Sequence, residues 1–244
     1  IKFQNPNLVK VIAVFVLLGF IFFIALMTVK TLQQLRQKRQ TRLKATYRNY
    51  FEAFLFAENQ EEHQQARHLL QKQCPRRGYA RKVLLQLLLE LRKQFTGEAA
   101  DILRETYYRH KLDADSLRKT RAYAYHHIAQ GLSELTTMGD SRAAGLARNY
   151  FDSPNEILRD EAQFALIRAE GYNALPVFEG LSHALSEWQQ IGLLQALKRF
   201  PRNETLDLEN LLASPNPDVR YFALKVVSFF LYTDNSASVT ALLH

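Results

Sequence analysis

The feature that most constrains this chain is the apolar run at residues 11–27, VIAVFVLLGFIFFIALM, which holds no charge, no Asn or Gln and no Pro. It lengthens to residues 8–29 if Lys10 snorkels to an interface. At 1.5 Å per residue these 22 positions cover roughly 33 Å, about the thickness of a bilayer's hydrocarbon core. A helix is the one single-segment structure that satisfies its own backbone in lipid. A buried core helix is usually shorter or amphipathic, and a secretory signal ends its shorter apolar region in a small-x-small site. Here Met27, Thr28, Val29 and Lys30 follow, leading into a basic flank as after a stop-transfer segment. One transmembrane helix is therefore expected. Its single Gly19 offers no GxxxG pair for helix association.

Charge is distributed unevenly around this run. Lys30, Arg36, Lys38, Arg39, Arg42, Lys44 and Arg48 all precede the first acid, Glu52, whereas only Lys2 and Lys10 lie before the run. The rest of the chain carries 23 basic and 24 acidic residues, so the formal net charge of +8 belongs to the juxtamembrane segment. By the positive-inside rule the C-terminal side lies in the cytoplasm, which for a bacterial cell means the inner membrane. The seven cations are expected to contact anionic lipid headgroups, the alternative being a solvated helix face. Residues 67–121 hold 14 basic and 6 acidic side chains and residues 122–244 hold 9 and 14, a gradient from basic to acidic away from the anchor. A lone Cys74 forms no intrachain disulfide and suits a reducing compartment. The chain opens on Ile1 and closes on an apolar stretch, so both ends are expected to be trimmed.

From residue 31 to 73 there is neither Gly nor Pro, and apolar residues recur three or four apart. The membrane helix is expected to continue as a basic stalk and to become amphipathic near Tyr47. Cys74, Pro75 and Gly78 then break the pattern. Helices are expected over residues 79–95, 98–110 and 115–137, with no strand anywhere. The expected division is 1–29 leader and span, 30–56 stalk, 57–141 membrane-proximal helices and 142–244 repeats.

The last hundred residues repeat. Ser153-Pro154-Asn155 recurs as Ser214-Pro215-Asn216, and Arg159 and Ala162 recur at the same offset as Arg220 and Ala223. Leu158-Arg159 with Ala162, Trp188-Gln189 with Gly192 and Val219-Arg220 with Ala223 align at spacings of 30 and 31. Each copy opens on helix-start residues, and a shorter apolar helix is expected before each, at 142–151, 174–183 and 206–213. Tandem helix pairs of this length indicate an α-solenoid.

The stretch LLASPNPDVRYFALKVV resembles the second half of a HEAT repeat, whose second helix commonly opens with Asp, then Val-Arg, then a small residue; Asp218, Val219, Arg220 and Ala223 match. The resemblance covers residues 142–244 well and 79–138 weakly. It implies an all-α HEAT-like α-solenoid behind the transmembrane helix, in which Arg159, Ala162, Asp218, Arg220 and Ala223 support repeat stacking.

Signatures of chemistry are missing. There is no HExxH, CxxC, P-loop or GxSxG, and adjacent His126 and His127 diverge by about 100° on a helix, so no catalytic residue, metal or cofactor is expected. Arg77 and Arg81 have the RxxxR spacing of cyclic-dinucleotide-binding PilZ domains without their strands or second motif. Arg76, Arg77, Arg81 and Lys82 remain a candidate patch for an anionic ligand or a partner. The acidic distal half argues against nucleic acid. The expected function is that of a non-enzymatic, membrane-anchored cytoplasmic scaffold docking another protein, itself an integral membrane protein. Anchored repeat proteins of this kind resemble accessory subunits of a polysaccharide-synthesising glycosyltransferase or a secretion system. A sensor binding a nucleotide or anionic lipid through the basic half is the alternative.

Overall fold

A computed structural model describes residues 6–55, 59–75, 77–201 and 206–230. Most of those residues are helical, with no strand among them. The chain divides into two compact units, Ile1–Leu87 and Leu88–His244.

The first unit is built on α1, Pro6–Leu55, a continuous helix of 50 residues. Pro6 stands at the helix start, where a missing N–H costs nothing, and no later Pro interrupts the helix. Its N-terminal part is long and apolar enough to cross a membrane. The side chains there are unburied by protein, Phe15 at 69% and Phe22 at 65% exposure. Further along, α1 turns amphipathic, and Tyr47, Phe51 and Phe54 are buried. The pattern expected to run unbroken to residue 73 stops at Leu55, and α2, Gln60–Gln73, packs back on α1. Reversal lets α2 bury Ala66, whereas a straight continuation of so polar a helix would pack on nothing. Helix α3, Tyr79–Gln94, starts after Gly78 at φ +84° and crosses the division between units. Within the first unit Arg39 lies over the Tyr79 ring at 5.7 Å and Gln40 donates to Gln86 at 3.2 Å.

The second unit continues with α4 (Glu98–Arg109), α5 (Leu112–Thr120), α6 (Tyr125–Met138), α7 (Arg142–Arg148), α8 (Glu156–Glu170), a 3₁₀ segment (Gly171–Gly180), α9 (Glu187–Leu197), α10 (Glu209–Leu212) and α11 (Pro217–Phe230). One contiguous core runs from Leu132 to Val226. Phe178 ties it together, its ring 4.8 Å from Phe151 and 5.5 Å from Phe222. Because α6 packs on α8, no division falls at residues 141–142.

Other expectations fail for identifiable reasons. The single helix expected over 115–137 is broken at residues 121–124, and α6 folds back on α5. Folding back brings Glu134, 4% exposed, to the Ser116 hydroxyl at 2.8 Å and to Lys119, pairing polar groups that a straight helix would leave apart. The helix expected at 174–183 is a 3₁₀ segment, since Pro176 removes a donor and Gly171 at φ +60° has already ended α8. The first and third short helices shrink to α7 and the four-residue α10.

Gly131 makes the α5–α6 approach possible: a Cβ there would lie 2.6 Å from the Ser116 carbonyl oxygen and 2.8 Å from the Thr120 nitrogen, both backbone atoms. Gly131→Ala should destabilise the protein by about 1–3 kcal/mol despite Ala's better helix propensity, read as a lower urea midpoint. An unchanged or raised midpoint would refute this packing.

Candidate functional site

The Ser-Pro-Asn turns organise the distal helices. Ser153 Oγ accepts from Asn155 N at 3.3 Å, and Ser214 Oγ accepts from Asn216 N at 3.3 Å. Arg159 Nη1 donates to Ser153 O at 2.9 Å, and Arg220 Nη1 donates to Ser214 O at 2.7 Å. Each arginine thus braces the turn of its own copy rather than the neighbouring one. Ala162 and Ala223 are fully buried in the shared core.

Capping fixes the register of the middle copy. Asn155 Oδ1 accepts from Leu158 N and Ser186 Oγ from Gln189 N, while Arg159, Gln190 and Arg220 each donate their backbone N–H to the residue four before, Asn155, Ser186 and Asn216. Gln190, not Gln189, therefore stands where Arg159 and Arg220 stand. Its Nε2 donates to Leu185 O at 2.8 Å, a shorter side chain bracing a shorter turn. Trp188 is correspondingly 84% exposed instead of taking a core position. Gln189 is buried and donates to Gln163, whose own Nε2 donates to Phe151 O at 3.1 Å.

The segment at residues 181–186 is held from both sides. Asn216 Nδ2 donates to Leu181 O and His183 O at 3.0 Å each, and Asp218 Oδ2 accepts from Leu185 N at 3.0 Å, so Asp218 links its own copy to the preceding one. Opposite, Asp152 accepts from the backbone N–H groups of Ser182 and His183 and from the Ser182 hydroxyl, and its Oδ1 lies 2.7 Å from His183 Nδ1. These three side chains do not form a nucleophilic triad. The serine donates to the carboxylate itself, whereas an activated serine needs the imidazole's other nitrogen. Burial pushes the Asp152 carboxyl up, but hydrogen bonds from Ser182 and His183 outweigh it and hold it below the usual carboxylate range. Asp140 is likewise held low against burial by Arg142, which also pairs with Asp113, and by Tyr108.

Between the N-termini of α8, α9 and α11 lies an open groove of about 550 Å³. Glu156 and Arg159 line it from α8, Glu187 and Gln190 from α9, and Asp218 and Tyr221 from α11. First-turn carboxylates complement the positive ends of the three helix dipoles. Arg159 is 8% and Gln190 2% exposed, yet Arg159 Nε and Gln190 Oε1 are buried with no hydrogen-bond partner among the described residues. Burial raises the Asp160 carboxyl, and the neighbouring Arg159 charge pulls it only partly back.

The basic residues expected at headgroups are Lys30, Arg36, Lys38, Arg39, Arg42, Lys44 and Arg48, and all lie on α1. They wrap every side of the helix, and the continuous helix spreads them over roughly 27 Å. Along the helix axis Lys30 and Arg36 lie within about 10 Å of residue 29, the end of the apolar length, while Arg42, Lys44 and Arg48 stand farther along. Arg77 and Lys82 are exposed, Arg81 donates to Pro75 O at 3.5 Å, and Arg76 lies outside the described residues. The rings of His126 and His127 are 4.1 Å apart, and among the described residues no group of three or more His, Cys, Asp or Glu is placed to hold a metal ion. The groove was not legible in sequence; the signal that could have found it is three helix-start signatures about 30 residues apart. Comparison with protein-family models, curated proteins and solved structures finds no match.

Two carboxylates give opposite pH signatures. Asp152, held low in the fold, contributes stability above its unfolded pKa that is lost as pH falls through the folded value, so Asp152→Ala should cost about 1–3 kcal/mol at pH 7 and less at pH 3. Asp160, held high, costs stability once pH rises past its unfolded value, so Asp160→Asn should stabilise at pH 7 and be nearly neutral at pH 3. Denaturant titrations at both pH values check this; equal effects at pH 3 and pH 7 would contradict it.

Proposed function

We propose that this chain is a single-pass, membrane-anchored adaptor whose helical body docks another protein on the cytoplasmic side of the inner membrane, as a non-catalytic subunit of a membrane complex. The observation that carries the reading is the continuity of α1. The same helix holds an apolar length suited to a bilayer, a basic segment, and the buried aromatics Tyr47, Phe51 and Phe54. Burying each such side chain contributes about 1.5–3 kcal/mol, so the stalk is part of the first unit rather than a loose linker. A stiff tether of this kind raises the local concentration of the body around membrane-embedded partners without any new contact.

The reading of residues 142–244 as HEAT-like repeats draws support from the arginine-to-turn bonds that recur 61 residues apart and from the common first-turn register of α8, α9 and α11. Stacked helix pairs present extended surfaces and commonly serve as binding platforms. The seven cations after the span support the cytoplasmic orientation.

Orientation is tested with Trp188→Cys in a Cys74→Ser background, using an impermeant maleimide on intact and permeabilised cells. Labelling only after permeabilisation is expected; labelling of intact cells would overturn the topology. Affinity purification of the full chain from gently solubilised membranes tests docking. A membrane protein in fixed stoichiometry is expected, and recovery of the chain alone would overturn the adaptor reading.

A further inference from the structure

We infer that the groove across the N-termini of α8, α9 and α11 is a docking site for an extended, lysine- or arginine-bearing segment of a partner protein. The inference deepens the adaptor reading and rests on it.

The argument starts from unmet hydrogen bonds. Arg159 uses Nη1 on Ser153 O, and its buried Nε has no hydrogen-bond partner among the described residues. Gln190 uses Nε2 on Leu185 O, which fixes the amide's orientation and leaves Oε1 without a donor. Buried polar groups of this kind are rarely left unpaired, and both residues line the same groove. Their copy in the last repeat differs: Arg220 is half-exposed, and its Nη1 reaches both Ser214 O and Pro215 O. Turn-bracing therefore does not by itself account for the unmet Nε of Arg159. One vacant donor group and one vacant acceptor, on neighbouring helices, match a ligand that alternates C=O and N–H, as an extended peptide backbone does. Both atoms are buried, so a bound segment meets them when the two side chains turn toward the groove that they line.

Charge selects among peptides. Helix dipoles partly offset the first-turn carboxylates near the backbone, but Glu156 and Glu187 are exposed, so a side chain arriving at the rim meets negative charge. Aromatic surface adds to this. Lys225 Nζ already sits 4.4 Å from the Tyr221 ring, which shows that ring's fitness for an ammonium, and Trp188, next in the chain to Glu187, is the most exposed large side chain of α9. The wall is stiff where binding needs it, since residues 181–186 are held by Asp152 on one side and by Asn216 and Asp218 on the other.

The test uses the full chain in nanodiscs and three fluorescein-labelled nonapeptides: alternating Lys-Ser, its Glu-Ser counterpart, and the Lys-Ser peptide N-methylated at alternate residues. Anisotropy should show saturable binding of the Lys-Ser peptide and none of the Glu-Ser peptide. N-methylation should weaken binding at least tenfold, and Glu156→Gln with Glu187→Gln should weaken it roughly five- to tenfold, because the exposed rim then lacks the two charges that a lysine side chain meets. Equal affinity of the N-methylated peptide would overturn backbone recognition, and an unchanged affinity of the double variant would overturn the site. Purification of the same double variant from native membranes separates this inference from the reading beneath it. Loss of a partner that accompanies the unaltered chain supports the groove. Retention of that partner overturns the groove while the adaptor reading stands, and absence of any partner from the unaltered chain overturns the adaptor reading.

Discussion

A helix satisfies its backbone hydrogen bonds internally, and the whole arrangement depends on that independence from surroundings. It lets α1 carry bare apolar side chains at residues 11–27, a cationic stretch at 30–48 and buried aromatics from Tyr47 to Phe54 without any change of backbone structure. A loop or strand crossing the same three environments would need a different hydrogen-bond partner in each. Continuity also makes the charge of the stalk directional. A fixed rise per residue puts successive cations at successive distances from the end of the apolar length.

In the second unit the equivalent constraint is the serine carbonyl at each Ser-Pro-Asn turn, on a buried residue and in need of a donor. Proline removes a donor from the turn, and the chain answers with a side chain one and a half helical turns later: Arg159 for Ser153 and Arg220 for Ser214. Where the turn is one residue shorter, Gln190 takes the role on Leu185. These braces fix where each helix starts. They bring α8, α9 and α11 to a common groove, in which Arg159 and Gln190 are occupied on one side and vacant on the other.

The long helix, the start of α3 after Gly78, and the helix-start signals at Ser186 and Asn216 were legible in sequence because each rests on local chemistry, whereas the first start lies at Asn155, two residues past the Ser153 that a capping box with Glu156 suggests. What misled was packing between segments distant along the chain. Nothing in Arg121 or Ala122 announces the break between α5 and α6; it follows from Gly131 admitting the α5 backbone and from Glu134 reaching Ser116. Alignment by residue type put Trp188 in a core position because Gly192 resembled Ala162. Capping bonds, which count residues from the turn, move the middle copy by one. Gly192 is small for another reason, lying against the Phe164 ring, whose Cζ would be 2.6 Å from an added Cβ. The spacing of three helix starts could have located the groove, but the unmet hydrogen bonds of Arg159 and Gln190 are a property of folded side chains that no spacing records.

The central claim is that α1 stays one rigid helix from the end of its apolar length to its buried aromatic end. Pulsed electron–electron resonance on Thr31→Cys and Asn49→Cys, spin-labelled in a Cys74→Ser background in nanodiscs, measures this directly. The two positions are five helical turns apart on one face, so a single narrow distribution centred near 27 Å is expected. A broad distribution, or one shifted well below that distance, would mean a hinged stalk and would contradict the account.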